Sequence, residues 1–374
     1  MTLPTAGAAG AGHAGTGRAR RAPAVTRAAV LGWLREADEG ALGELWEQAD
    51  RVRREHVGDA VHLRGLIEIS NFCVRRCGYC GLNAAHTGLA RYRMTDAEIL
   101  SCAREAQRLG YGTVVLQAGE DPGLGRDRVA QLVRQIKAGT GLAVTLSLGE
   151  RPDADLAAWR RAGADRYLLR FETSNAALFR QIHPPAPGGR DRLEMLRALH
   201  GFGYEVGSGV MVGIPGQAWD DLARDLELFD ELELDMIGIG PFLPHPATPL
   251  GGGSTPAGGA EQVPNDELTT LKMVALARLV RPDSNIPSTT ALATIDRERG
   301  RELGLERGAN VVMPNLTPPA YRALYEIYPG KACIFESSAQ CADGLAARIA
   351  AVGRVVGTGR GDAPSAARRA GGGS

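Results

Sequence analysis

The sequence has few aromatic residues, no excess charge of either sign and no long apolar run, and each absence excludes a class of protein. Aromatic side chains make up 5% of its 374 residues, too few for a surface that stacks on nucleic-acid bases. The 43 lysines and arginines balance 43 aspartates and glutamates, which argues against a protein that coats nucleic acid or an anionic membrane. Since no run of about 18 apolar residues and no signal peptide is recognisable, we expect a cytoplasmic protein that does not bind membranes.

Cysteine is also scarce, with six residues in the whole chain. A reducing compartment disfavours a disulfide framework, and disulfides among Cys73, Cys77 and Cys80 would close only very small loops. A metal or cluster site is therefore the better interpretation of these three. Cys102 falls on the apolar side of a predicted helix, where we expect a buried structural thiol.

The two ends of the chain differ in composition from its middle. Residues 1–25 and 357–374 are rich in alanine, glycine and arginine, and we predict a disordered arm and a disordered tail. The hydrophobic residues, 44% of the chain, suffice for a sizeable core. We assign residues 26–356 to one folded domain, which opens with two predicted helices near 27–37 and 41–56.

After these helices, short apolar runs alternate with amphipathic helical segments. The eight candidate strands are residues 66–70, 113–118, 143–148, 167–172, 205–212, 236–242, 286–291 and 311–315. This alternation predicts an α/β fold, a parallel (β/α)8 barrel of the TIM type with an N-terminal helical extension. A doubly wound open sheet is the alternative. In a barrel, the functional residues lie at the carboxyl ends of the strands.

The three clustered cysteines directly follow the first predicted strand, with the spacing C-x3-C-x2-C. Three thiolates can ligate three irons of a [4Fe–4S] cluster and leave the fourth iron open. A structural zinc is the alternative, and His86 is the nearest candidate for its fourth ligand.

With Tyr79 in the aromatic position of C-x3-C-x-aromatic-C, this loop resembles the signature of the radical S-adenosylmethionine (SAM) superfamily. The resemblance implies that Cys73, Cys77 and Cys80 are the catalytic metal ligands of a [4Fe–4S] cluster. It also implies that SAM is a cofactor, cleaved reductively to a 5′-deoxyadenosyl radical. The matching positions expected to contact SAM are Tyr79, Gly119, Glu120, Thr145, Glu172, Arg192 and Met236. The superfamily's Gly-Gly-Glu-like turn is only partly present, because Ala118 occupies its first position.

Longer segments resemble the HydE family of [FeFe]-hydrogenase maturases. These segments are residues 91–95, 146–150, 163–170, 238–246, 282–287, 312–315 and 328–331. The resemblance implies a cavity inside the barrel beneath the SAM site. The residues expected to line its substrate end are Arg170, Thr289, Thr290, Met313, Tyr325 and Tyr328. Methylornithine synthase and biotin synthase share parts of the pattern and are the nearest alternatives.

The HydE resemblance implies a function in assembly of the hydrogenase H-cluster. The adenosyl radical would act on a cysteine-bound iron carbonyl cyanide precursor, with the maturases HydG and HydF as possible partners. Two other functions stay open: a different radical SAM enzyme acting on a small amino-acid-like substrate, and a metal-stabilised scaffold without catalysis.

The two C-terminal cysteines do not complete a second cluster site of the kind some family members hold. Cys333 and Cys341 fit two of its positions, but Gly344 occupies the third. We therefore expect no stable second cluster.

Overall fold

The computed structural model describes residues 25–185, 189–252, 261–331 and 338–371. Apart from residue 25, the predicted disordered arm lies outside these residues. So do Cys333 and the side chain of Cys341, and with them the prediction about a second cluster.

The strands form a curved parallel sheet, as the alternating pattern predicts. They are β1 Ala60–Ser70, β2 Thr113–Ala118, β3 Ala143–Ser147, β4 Arg166–Leu168, β5 Glu205–Val212, β6 Met236–Pro241, β7 Val311–Val312 and β8 Val355–Val356. The sheet order is β6-β5-β4-β3-β2-β1-β7, and β8 pairs with β1 outside this path. The strands follow one another in chain order from β1 to β6, β7 lies next to β1, and bridges at Asn285 and Pro287 connect β6 with β7. This circular order confirms the TIM-type fold class, and the doubly wound alternative, whose strand order reverses, is wrong.

Helices cover the outside of the sheet and precede it. They are α1 Arg27–Arg35, α2 Glu39–Val57, α3 Asp96–Arg108, α4 Arg126–Thr140, α5 Asp153–Arg161, α6 Ala176–Ile182, α7 Arg192–Gly201, α8 Trp219–Glu231, α9 Glu267–Val280, α10 Leu292–Ile295, α11 Gly300–Glu306, α12 Pro319–Arg322, α13 Ser338–Ala351 and α14 Pro364–Gly371. The two predicted N-terminal helices are present as α1 and α2, which pack on α8 and α9. Among the described residues, no helix has both the length and the apolar composition needed to span a membrane.

The seventh predicted strand, residues 286–291, is not a regular strand. Residues 285–287 instead form isolated parallel bridges, one from Asn285 to Met236 of β6 and one from Pro287 to Val311 of β7. Pro287 has no backbone N–H to donate to a ladder, so regular pairing stops there. The segment nevertheless spans the gap between β6 and β7.

The predicted disordered tail, residues 357–374, is ordered as far as residue 371, and this part of the prediction is wrong. The segment runs across the amino ends of the strands, where the Arg360 carbonyl accepts hydrogen bonds from Arg166 (3.0 Å) and Thr113 (2.8 Å). Ser365 donates to the buried Asp235 at 2.6 Å. Its order comes from backbone carbonyls and ion pairs that satisfy buried polar groups of the barrel, which composition alone does not reveal.

Candidate active site

A cavity of about 330 Å³ opens at the carboxyl ends of the strands and extends into the barrel. All sixteen residues predicted from the sequence line it: Cys73, Cys77, Tyr79, Cys80, Gly119, Glu120, Thr145, Arg170, Glu172, Arg192, Met236, Thr289, Thr290, Met313, Tyr325 and Tyr328. These residues come from six strands or the loops after them. The barrel thus brings together groups that are up to 255 positions apart in the chain.

The three cysteines lie in the irregular loop that follows β1. Neighbouring segments hold this loop through its backbone: Val74 donates to the Glu120 carbonyl at 3.0 Å, and Gly78 donates to the Ile182 carbonyl at 2.8 Å. Gly119 lies so close beneath the loop that a Cβ there would come within 2.8 Å of the Cys73 Cβ. The loop is therefore fixed on several sides by close packing.

Burial raises the pKa of each of the three thiols. It raises the pKa of Cys80 to about 12 and that of Cys77 well above its ordinary range, and the charges of the neighbouring cysteines add to both effects. The pKa of Cys73 is raised as well, again mainly by burial. Three thiolates in this environment need a nearby positive charge, which a bound metal centre supplies.

The spacing of the sulfurs distinguishes a cluster from zinc. Within the described part of the chain, the three cysteine sulfurs do not all lie within 4.8 Å of one another. Ligands of one tetrahedral zinc, with bonds of about 2.3 Å, would lie about 3.8 Å apart. The Nδ1 atom of His86 lies 2.8 Å from the Gly81 carbonyl, and His86 does not line the cavity. The donor set therefore fits a larger cluster with three thiolate ligands and disfavours zinc.

A group of paired charges lies beside the cysteine loop. Arg75 contacts Glu120 at 2.5 Å and also Glu150, while the Nε of Arg192 donates to Glu150 at 2.9 Å. Although burial by itself raises it, the neighbouring His183 and the charge of Arg192 lower the pKa of Glu150 to about 2. The two arginines neutralise the two carboxylates, so these acidic groups need no metal ion.

Glu172 contacts Tyr79, which is part of the cysteine loop. The Tyr79 hydroxyl donates to Glu172 at 3.3 Å, and Arg170 forms an ion pair with the other carboxylate oxygen at 3.2 Å. Glu172 has a φ of +66°, a left-handed conformation that is unfavourable for a residue with a side chain. Because such strain persists only where the surroundings enforce it, it marks a constrained position in the cavity wall.

Some polar atoms in the cavity wall lack partners within the described protein. The Thr145 hydroxyl is buried and makes no hydrogen bond, which costs free energy unless a ligand contacts it. Thr289 instead donates to the Ile239 carbonyl at 3.1 Å. The free hydroxyl of Thr145 is consistent with the predicted cofactor contact.

Met236 lies at the other end of the strands from the cysteine loop. It is the first residue of β6, so it lies at the amino end of the strand, whereas the cysteines follow the carboxyl end of β1. Its sulfur accepts a hydrogen bond from Arg64 at 2.8 Å. The structure therefore places Met236 at the floor of the cavity.

Sequence reasoning missed several residues of the cavity wall. Glu68 and Lys331 form a buried ion pair, and Asn315 donates to the second Glu68 oxygen at 3.0 Å. A charged residue inside an otherwise apolar strand was the available signal for Glu68. His183 follows α6 and contacts Cys77, and no motif in the sequence identifies it.

Comparisons with known proteins agree with this site. Residues 67–229 match the family described as the Radical SAM superfamily. The [FeFe] hydrogenase maturase subunit HydE of Thermotoga maritima is 49% identical over 320 residues, covering 86% of this chain and 88% of that protein. The 3-methylornithine synthase of Methanosarcina barkeri is 30% identical over 285 residues, covering 76% of this chain and 77% of that protein.

Solved structures show the same fold at lower identity. A crystal structure of methylornithine synthase superposes with a TM-score of 0.76 at 24% identity, covering 93% of this chain and 97% of that one. The maturase HydG of Carboxydothermus hydrogenoformans gives a TM-score of 0.66 at 17% identity, covering 78% of this chain and 68% of that one.

Together, the barrel, the cysteine loop and the superfamily match define a radical SAM enzyme, with a [4Fe–4S] cluster and SAM as its cofactors. Within this superfamily the chain belongs to the family of the [FeFe] hydrogenase maturase subunit HydE.

Proposed function

We propose that this enzyme acts in assembly of the [FeFe]-hydrogenase H-cluster, on a cysteine-bound iron carbonyl cyanide precursor. The observation that carries the proposal is the 49% identity to a HydE protein, which extends over 86% of the chain and 88% of that protein. HydG and HydF are the proposed partners. We also propose a cytoplasmic location, since thiols that are to ligate a metal centre need a compartment that keeps them reduced.

In this proposal the cofactors bind at the mouth of the cavity. When bound, the reduced cluster would supply one electron to the SAM sulfonium, and cleavage of the bond between its sulfur and C5′ would give methionine and the 5′-deoxyadenosyl radical. Cys73, Cys77 and Cys80 hold the cluster, and the unpartnered Thr145 hydroxyl and the strained Glu172 provide polar contacts for SAM. We keep Tyr79, Gly119, Glu120 and Arg192 as further contacts to it.

The inner part of the cavity suits a small anionic or organometallic substrate. The whole cavity, which these groups share with the cysteine loop, has a volume of about 330 Å³, in the range of small-molecule sites. Burial raises the pKa of both Tyr325 and Tyr328, so their phenols keep their protons and can donate hydrogen bonds. Arg170, Thr289 and Thr290 add a cation and two hydroxyls, and Met313 adds apolar surface. The walls also exclude water that would otherwise quench a radical.

The test has two stages. Anaerobically reconstituted protein with SAM and a strong reductant should produce 5′-deoxyadenosine, and Cys77→Ala should not. Expression in a host that lacks its own HydE but has HydG, HydF and an [FeFe] hydrogenase should then restore hydrogenase activity. Absence of SAM cleavage would favour the scaffold function.

The second candidate is a radical SAM enzyme of the methylornithine synthase and biotin synthase group. The M. barkeri relative and the structural similarity support it at lower identity. SAM cleavage without restored hydrogenase activity would favour this candidate over the maturase.

A further inference from the structure

His183 makes a contact with the cysteine loop that none of the predicted site residues makes. Its Nδ1 atom lies 3.0 Å from the sulfur of Cys77. Both residues are buried, with 4% of His183 and 8% of Cys77 exposed. At this distance, and with water excluded, the pair forms a hydrogen bond through sulfur.

The neighbours of His183 determine which of its ring nitrogens carries the proton. Its Nε2 atom lies 3.1 Å from a terminal nitrogen of Arg192, and an arginine side chain can only donate. A proton on Nε2 would therefore point at another donor. The carboxylate of Glu150 is farther from Nε2, at 3.7 Å, and its nearest oxygen already accepts from the Nε of Arg192. Nε2 accordingly accepts from Arg192, and the proton lies on Nδ1, directed at the Cys77 sulfur.

Three further contacts fix the position of the imidazole. The Ile182 carbonyl, one peptide before His183, accepts from the Gly78 N–H at 2.8 Å, which joins this segment to the residue after Cys77. The His183 backbone N–H donates to the Phe179 carbonyl at 2.8 Å, and the two rings stack at 5.0 Å. The ring thus has little freedom to turn away from the sulfur.

We propose that His183 is a positioning residue for the [4Fe–4S] cluster, whose Nδ1–H donates a hydrogen bond to the cluster-bound sulfur of Cys77 and stabilises the reduced cluster. Reduction adds one negative charge, which is shared by the sulfur ligands, so a donor at a ligand sulfur favours the reduced state over the oxidised state. Arg192, which hydrogen-bonds to both Glu150 and His183, keeps the imidazole oriented. The proposal goes beyond the proposed function, because it concerns the cluster whichever substrate the enzyme uses.

The test compares the reduction of the cluster in two variants of the full-length reconstituted protein. His183→Leu removes the donor, whereas His183→Asn places an amide N–H near the position of Nδ1. Without SAM, an anaerobic dithionite titration followed by electron paramagnetic resonance gives the midpoint potential of the cluster. In His183→Leu we expect the ratio of reduced to oxidised cluster at a fixed potential to fall roughly tenfold, which is a midpoint about 59 mV lower. His183→Asn should recover most of this difference.

A second readout identifies the hydrogen bond itself. Protein labelled with [15N]histidine and reduced should show a weak nitrogen coupling to the cluster in pulsed electron paramagnetic resonance, and this coupling should be lost in His183→Leu. His200→Asn, which changes an imidazole bonded to the Leu232 carbonyl, serves as the control and should leave both readouts unchanged.

Two outcomes would overturn the proposal. One is an unchanged midpoint in His183→Leu at full iron and sulfide content. The other is an equal fall in the leucine and asparagine variants, which would show a merely structural role. If His183→Leu fails to assemble the cluster, His183→Gln replaces it, because its longer amide reaches the Nε2 position and leaves Nδ1 without a substitute.

Discussion

The buried carboxyl group of Asp225 gives a stability prediction with a definite pH dependence. Asp225 lies on α8 and has no exposed surface. One oxygen accepts from the Ser174 N–H at 2.5 Å, and the other has no partner in the described protein. Burial raises the pKa of Asp225 from its ordinary 3.8 to about 7, and the nearby Asp221 adds to the rise.

The sign follows from proton binding in the two states. Between pH 4 and 7 the folded carboxyl holds its proton while the unfolded one has lost it, so stability falls as pH rises through this window. One pKa unit corresponds to about 1.36 kcal/mol, so the unfolding free energy of the wild type falls by about 3 kcal/mol between pH 5 and pH 8. Well above pH 7, Asp225 is ionised in both states and the unfolding free energy no longer changes with its titration.

Asp225→Asn should remove this dependence, because the amide carries no charge and its oxygen can still accept from Ser174. The unfolding free energy of the variant minus that of the wild type should therefore increase by about 3 kcal/mol from pH 5 to pH 8. Urea denaturation of both proteins at the two pH values measures this difference. Asp220→Asn, which alters an exposed carboxylate on the same helix, is the control and should show a small effect. An equal effect of Asp225→Asn at the two pH values would refute the reasoning.

Three further predictions concern the cavity. Cys77→Ala should lose the visible absorbance of the reconstituted cluster, while Cys102→Ala, which alters a buried thiol outside the cavity, should keep it; loss in both would contradict the assignment. Lys331→Met should lower the unfolding free energy by about 3–5 kcal/mol, because it leaves Glu68 charged and buried. Urea denaturation measures this loss, and the double variant with Glu68→Gln should recover most of it. Gly119→Ala should lower the rate of 5′-deoxyadenosine formation roughly a hundredfold, since its Cβ would lie 2.3 Å from a carbonyl oxygen of the cysteine loop; a near-normal rate would show that this loop can shift.

Local patterns in the sequence predicted the cysteine loop and much of the barrel. The spacing of Cys73, Cys77 and Cys80 is a property of a few consecutive residues, and so is the capping box of Thr95 and Glu98, which forms at the start of α3. Seven of the eight predicted strands are present, four of them with nearly the same bounds, because alternating strands and helices leave a periodic signal. The resemblance to known families added the other cavity residues.

Tertiary structure decided which distant groups meet. Glu68 and Lys331 are 263 positions apart, and the pairing of β1 with β7 brings the segments that carry them together. His183 carries no motif, and its contact with Cys77 depends on the hydrogen bond between two loops. The C-terminal segment up to residue 371 is ordered by Arg166 and Asp235 at the amino ends of the strands, although its composition is that of a disordered tail.

The sequence by itself thus determined the chemistry of this protein, which rests on three thiolates at a fixed spacing in a loop after a strand. Its few aromatic residues and balanced charges also argued against nucleic acid and membranes as partners. The tertiary structure decided the environment of that chemistry, from the burial that raises the pKa of the thiols to the imidazole directed at one of them. The physical reason is that ligand spacing is set by neighbouring residues along the chain. Burial and hydrogen-bond partners are set by segments that meet only in the folded barrel.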